Sequence, residues 1–159
     1  MTELRQRLTK LLELVAREDE HLLAVRERLL GGDCAVDQAR VHSIISTDLG
    51  IDRLESFGAK FARMQDTMID KLAPCLLEAL GEPVYAAIDN LDRLERLNCV
   101  GSAEEWIAMR RLRNRLVHEY IERPADLAPA LARACRFTDT MHRDYQAMRD
   151  LALSRIQPE

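Results

Sequence analysis

Between residues 4 and 29 the chain places Leu4, Leu8, Leu11, Val15, Leu22, Val25 and Leu29 on alternating steps of four and three. Side chains three and four apart share one face of an α-helix, whereas a strand repeats every two residues. The seam is coiled-coil-like, and Glu18 fills its one position that is not apolar. Thr2 stands where an N-cap belongs and Gly31-Gly32 stop the run, so one helix is expected over Thr2–Leu30. Such a seam packs within a bundle or against a second copy.

The helical period recurs along the chain. A second helix starts near Ile51 and carries Leu54, Phe57, Phe61, Met64, Met68 and Leu72. Pro74, which has no backbone donor, should kink or end it, and the run Cys75 to Leu80 continues to Gly81. A third begins at Pro83, carries Val84, Ile88, Leu91 and Leu94, and ends near Asn98. A fourth opens with a capping box, Ser102 and Glu105, and closes at Pro124. A fifth starts near Asp126 and carries Leu127, Leu131, Ala134, Thr138, Met141, Tyr145, Met148 and Leu151. The stretch Asp33 to Gly50 reads as a loop with a short helix around Gln38 to Ser46. No strand pattern, repeat or low-complexity tract is visible. Aromatics are only 4% of 159 residues, with 6 Gly and 5 Pro, which agrees with an all-α fold. The expectation is a single domain over residues 1–159, an antiparallel helical bundle of four to five helices.

Bulk properties exclude some functions. A net charge of −4 argues against a surface that binds nucleic acid everywhere. No segment is long and apolar enough to span a membrane, and the N-terminus lacks the apolar core of a signal peptide. Cys34, Cys75, Cys99 and Cys135 form no Cys-x-x-Cys pair and no metal-ligand spacing. They read as reduced thiols in a cytoplasmic protein.

The stretch Arg113 to Tyr120, Arg-Asn-Arg-Leu-Val-His-Glu-Tyr, carries the chemistry. With Arg113 set at zero and about 100° per residue, Trp106 falls near 20°, Met109 near −40°, Leu116 near −60°, Val117 near 40° and Tyr120 near −20°. Arg113 thus stands at the centre of an apolar stripe, where an unpaired charge is costly. Asn114 and His118 share a face roughly 100–140° from Arg113. Either the helix is distorted between Arg113 and His118, or a second copy of the motif completes the site. A twofold dimer brings two arginines and two histidines into one cleft. That set suits RNA cleavage by the substrate's own 2′-hydroxyl: two histidines act as base and acid near neutral pH, and arginine grips phosphate oxygens with its planar fork. This chemistry requires no metal and no cofactor. Arg110, Arg111, Arg113 and Arg115 lie within six residues of an otherwise acidic chain, a local patch able to bind RNA phosphates.

The stretch resembles the R-x4-6-H motif of HEPN-domain ribonucleases, with polar Asn114 directly after the arginine. With Tyr120 it resembles the R-x4-H-x-Y form of HepT toxins, and the resemblance covers the chain from about Ile51 to Arg155. It implies a HEPN-like bundle and a homodimeric, metal-independent endoribonuclease toxin of a type VII-like toxin–antitoxin pair. Arg113 and His118 would be catalytic and Asn114 would support the site. Tyr120 would be the residue AMPylated by a minimal nucleotidyltransferase antitoxin of the MntA type. Transesterification would leave a 2′,3′-cyclic phosphate and a 5′-hydroxyl. The competing function is a non-catalytic helical substrate-binding or adaptor partner of a small nucleotidyltransferase.

Plainer readings stand beside each residue. Arg113 is also a candidate structural arginine paired with Asp66 or Asp70, which lie one turn apart on the second helix. Asn114 and His118 also suit a solvated helix surface, Tyr120 a packed core position, and the arginine cluster a solvated face. Glu18-x-x-His21 and Asp139-x-x-His142 imitate the spacing of di-iron bundles, but the further inward Glu pair is not evident, so no metal site is assigned. Glu18 reads as a register-fixing or outward residue. Met64, Met68, Met141 and Met148 read as core filler.

Overall fold

The computed structural model describes the backbone of residues 2–156, and the side chains of that span except those of Thr2, Asn114 and residues 117–122. The helices are α1 (Thr2–Leu30), α2 (Gln38–Ile45), α3 (Asp48–Thr67), α4 (Ala73–Ala79), α5 (Ala87–Arg96), α6 (Ala103–Glu122) and α7 (Pro124–Ile156), and a π-helical turn over Met68–Leu72 joins α3 to α4. Among the described residues there is no strand, and no helix is long and apolar enough to cross a membrane. The all-α bundle is the fold. Among the described residues the helical segments number six when α3, the π turn and α4 are taken as one interrupted rod, because α2 stands as an element of its own.

The α1 seam is spent inside the molecule. Leu8, Val15, Leu22 and Val25 are buried, and α1 packs on α3, α4 and α7. Each such side chain contributes about 1.5–3 kcal/mol on leaving water. Glu18 is also buried, and the Thr67 hydroxyl of α3 donates to its Oε2 at 3.0 Å. Its Oε1 has no hydrogen-bond partner among the described residues, so burial raises this carboxyl, against the pull of Thr67, Arg63 and Lys71. Neighbouring Asp19 meets His142 Nδ1 of α7 at 2.5 Å, and Tyr145 donates to the Leu12 carbonyl at 2.7 Å. These polar contacts, at fixed heights along α1, set its register against α3 and α7.

Aromatic rings join the other helices. Phe137 of α7 stands edge-on to Phe61 of α3 (6.2 Å) and to Trp106 of α6 (5.1 Å). Met64, Met68, Met141 and Met148 fill the gaps as buried side chains.

Three local expectations are settled by the structure. Pro74 does not end the second helix, but the α-helical ladder is interrupted directly before it. It sits at the start of α4, directly after the π turn, whose widened ladder includes Ala73 N–H donating to the Met68 carbonyl. Pro83 does not open the third helix. The segment from Pro83 to Ala86 is non-helical, and the Asn90 side chain accepts from Tyr85 N–H (2.8 Å) and donates to the Tyr85 carbonyl (3.1 Å), holding it extended. Val84 and Ile88 are consequently exposed. The cysteines are not all reduced: Cys34 and Cys135 form a disulfide with Cα atoms 5.5 Å apart, while Cys75 and Cys99 are free and buried. The partners are 101 residues apart in sequence, so local spacing carried no sign of it. The bond pins the α1–α2 loop to α7, and Arg40 binds the same loop through the carbonyls of Leu30, Asp33 and Ala35.

Helix ends follow the expected chemistry elsewhere. Gly81 (φ 74°) and Asn98 (φ 61°) close α4 and α5 in Schellman geometry, with Glu82 N–H on the Leu77 carbonyl and Cys99 N–H on the Leu94 carbonyl, both at 2.9 Å. At the start of α6, Ser102 Oγ accepts from Glu105 N–H at 3.2 Å, and Glu95 of α5 accepts from Ala103 N–H at 2.9 Å. Both bonds fix where α6 begins, and hence the height of Arg113.

Candidate functional site

Helix α6 buries Trp106, Met109, Leu112 and Leu116. Leu112, absent from the expected stripe, falls near −100° on the same scale, and Ala103, also buried, falls near 80°. Arg113 therefore stands between buried positions on either side. Its side chain is 21% exposed and emerges where α6 crosses α3.

That position is already engaged. The Arg113 guanidinium is paired with Asp66 and donates to the Ala62 carbonyl at 3.4 Å. Arg110, one turn earlier, donates to Asp70 at 2.8 Å and lies 3.7 Å from Asp66. Both carboxylates named as structural partners of Arg113 thus belong to this cluster, with Asp66 the direct one. Ala62 and Asp66 are four residues apart on α3, and Asp70 follows in the π turn, so the carbonyl and both carboxylates meet α6 together.

The four arginines do not form one patch. Arg110 and Arg113 face α3, whereas Arg111 and Arg115 lie at about 160° and −160° from Arg113, on the outer face, and are exposed. The side chains of Asn114, His118 and Tyr120 lie outside the described residues. The backbone there is α-helical from Ala103 to Glu122 without interruption. The α6 backbone therefore shows no distortion that would turn Arg113 and His118 to one face. On a regular helix the two positions are about 140° apart.

Behind the cluster, Trp106 Nε1 donates to Asp144 Oδ2 of α7 at 2.8 Å, both groups buried. Burial pushes the Asp144 carboxyl up, and the bonds from Trp106 and from the Gly101 backbone pull it back. The exposed Arg143 guanidinium reaches the other carboxylate oxygen, Oδ1, at 3.8 Å, so the pair reads as a brace holding α6 on α7 with one cation at its solvent side. It escaped the sequence reading because a lone Asp on a long helix carries no periodic signal. Glu18 and the Asp19–His142 pair lie on α1 and α7, away from the motif helix. Among the described residues no three His, Cys, Asp or Glu side chains are grouped to hold a metal.

No family model, curated protein or solved structure matches this chain.

Proposed function

We propose that the chain is a metal-independent endoribonuclease toxin that cleaves RNA by 2′-hydroxyl transesterification and acts as a homodimer. The uninterrupted α6 carries this reading: a site using both Arg113 and His118 takes them from two copies of the helix, facing each other across a twofold axis. His118 serves as the acid/base and Arg113 holds the phosphate. Asn114 supports the site, and Arg110, Arg111 and Arg115 supply further positive charge. A nucleotidyltransferase antitoxin that AMPylates Tyr120 would place negative charge on the Arg113 side of the helix, since those two positions are about 20° apart, and would so repel RNA.

A second reading has its own observation. The Arg113–Asp66 pair gives the arginine a partner within the fold, as a non-catalytic adaptor of a small nucleotidyltransferase would require. Purified protein incubated with total RNA and tRNA in EDTA separates the two. Cleavage that Arg113→Ala and His118→Ala both abolish, with the dimer retained, supports the nuclease. An unmodified, dimeric wild type that cuts nothing favours the adaptor, and mass spectrometry of Tyr120 establishes that the sample is unmodified. Under the nuclease reading the protein acts in the cytoplasm, where the Cys34–Cys135 bond meets reducing thiols. Alkylation of that pair in cell extract belongs to the same experiment.

A further inference from the structure

A groove of about 390 Å³ runs over the outer face of α3, beside the motif helix. Ala59, Ala62 and Thr67 form its floor, small side chains that leave the backbone low. Asp66 and Asp70 line the side next to α6, where Arg113 and Arg110 hold them. Arg63 and Lys71 line it as well; both are exposed, and neither is in an ion pair among the described residues. They are eight residues apart, about 12 Å along the helix axis.

Counting Arg110 and Arg113 behind the wall, four cations meet three carboxylates, Asp66, Asp70 and the buried Glu18, a local positive balance on a molecule whose net charge is −4. Beneath the groove, Thr67 donates to Glu18. Glu18 is buried; desolvation raises its carboxyl, and Thr67, Arg63 and Lys71 pull it back. The groove is open and about half polar, and the two cations in it that form no surface ion pair among the described residues are spaced along the helix. That pattern fits an extended polyanion rather than a compact small molecule, because successive phosphates can meet successive cations.

We propose that this groove is the track for the backbone of single-stranded RNA, with Arg63 and Lys71 as phosphate-binding residues that deliver the strand to Arg113. The proposal rests on the ribonuclease reading and adds a binding surface on α3 that the motif does not contain. Arg113 lies at one edge of the groove, so a strand on it passes within reach of the motif helix. Arg63 and Lys71 are positioning residues here, and the reacting bond is left to the motif.

Fluorescence anisotropy of a labelled single-stranded RNA oligonucleotide, titrated with the full chain across a salt series, tests this. Arg63→Gln/Lys71→Gln is compared with the wild type and with Arg28→Gln/Arg155→Gln, which removes the same charge from exposed positions on other helices. The groove variant is expected to bind roughly ten- to thirtyfold more weakly near 0.1 M salt and to lower the slope of log K against log salt by about 1.4, the share of two phosphate contacts. The remote variant is expected to bind like the wild type. Equal binding by groove variant and wild type overturns the track while leaving the nuclease reading intact. Equal loss in both variants also overturns it, since net charge alone would then account for binding. A native wild type that binds no RNA overturns the track and the nuclease reading together. Circular dichroism of each variant confirms that these exposed substitutions leave the fold in place.

Discussion

Asp144 is a single carboxylate on which the seating of α6 depends. It accepts the Trp106 N–H inside the core, and desolvation holds its pKa above the ordinary 3.8. Between these two values the folded chain keeps a proton that the unfolded chain has released, so stability falls as pH rises through that window. Asp144→Asn retains an acceptor for Trp106 without the charge. It is expected to flatten the melting temperature against pH from about pH 4 upward, and to be the more stable protein at pH 7; an unchanged slope in thermal scans would refute this role. Asp144→Ala leaves the indole N–H without its partner and should cost about 1–3 kcal/mol in urea denaturation. The Arg113–Asp66 pair is different, being partly exposed on both sides (21% and 46%). Asp66→Ala should cost less than about 1 kcal/mol, and a loss several times larger would identify Arg113 as a structural residue first. The existence of this pair was legible in the sequence, because Asp66 and Asp70 repeat at the spacing of a helix face. What was not legible is that Arg113, set between buried positions, keeps 21% of its side chain exposed where α6 crosses α3, because that depends on how two distant helices meet.

At the scale of elements, the long apolar periods of α1, α3, α6 and α7 could be read directly, since a helix that must bury one face repeats its apolar residues. What could not be read were contacts that join distant segments. The π turn at Met68–Leu72 depends on how α3 and α4 both pack against α1, and Pro74 marks the place without specifying the geometry. The extended segment before α5 is held by Asn90, a residue that looks like ordinary helix surface until its amide is seen closing on Tyr85. The Cys34–Cys135 bond is the clearest case, and it makes a quantitative prediction. A loop of 101 residues corresponds to about 4.7 kcal/mol in the chain-entropy account of cross-links. Cys34→Ser, or reduction, should therefore lower the free energy of unfolding by roughly 2–5 kcal/mol, the range seen for native disulfides. Alkylation of the unfolded chain should count two thiols before reduction and four after it. Four at the start, together with equal stability of Cys34→Ser, would show that the bond does not form.

The whole molecule is held by one contiguous core, and its single tryptophan lies where that core is shared. Trp106 is 1% exposed, stands edge-on to Phe137 of α7, and through that ring is joined to Phe61 of α3. α3 in turn packs on α1 through the buried seam. Disturbance of any of these four helices therefore reaches the indole. If they form one cooperative unit, tryptophan fluorescence and far-ultraviolet circular dichroism should follow a single urea transition with the same midpoint. Trp106→Phe should lower that midpoint as seen by circular dichroism and leave the steepness unchanged, because it removes packing and the bond to Asp144 without dividing the core. Separate midpoints would mean that α1 and α2, which lie outside the aromatic cluster, unfold apart from α6. The same comparison after reduction decides between these cases. In one cooperative core, losing the disulfide shifts both probes together; where the cross-link alone joins the parts, reduction moves the circular dichroism transition and leaves the fluorescence transition in place.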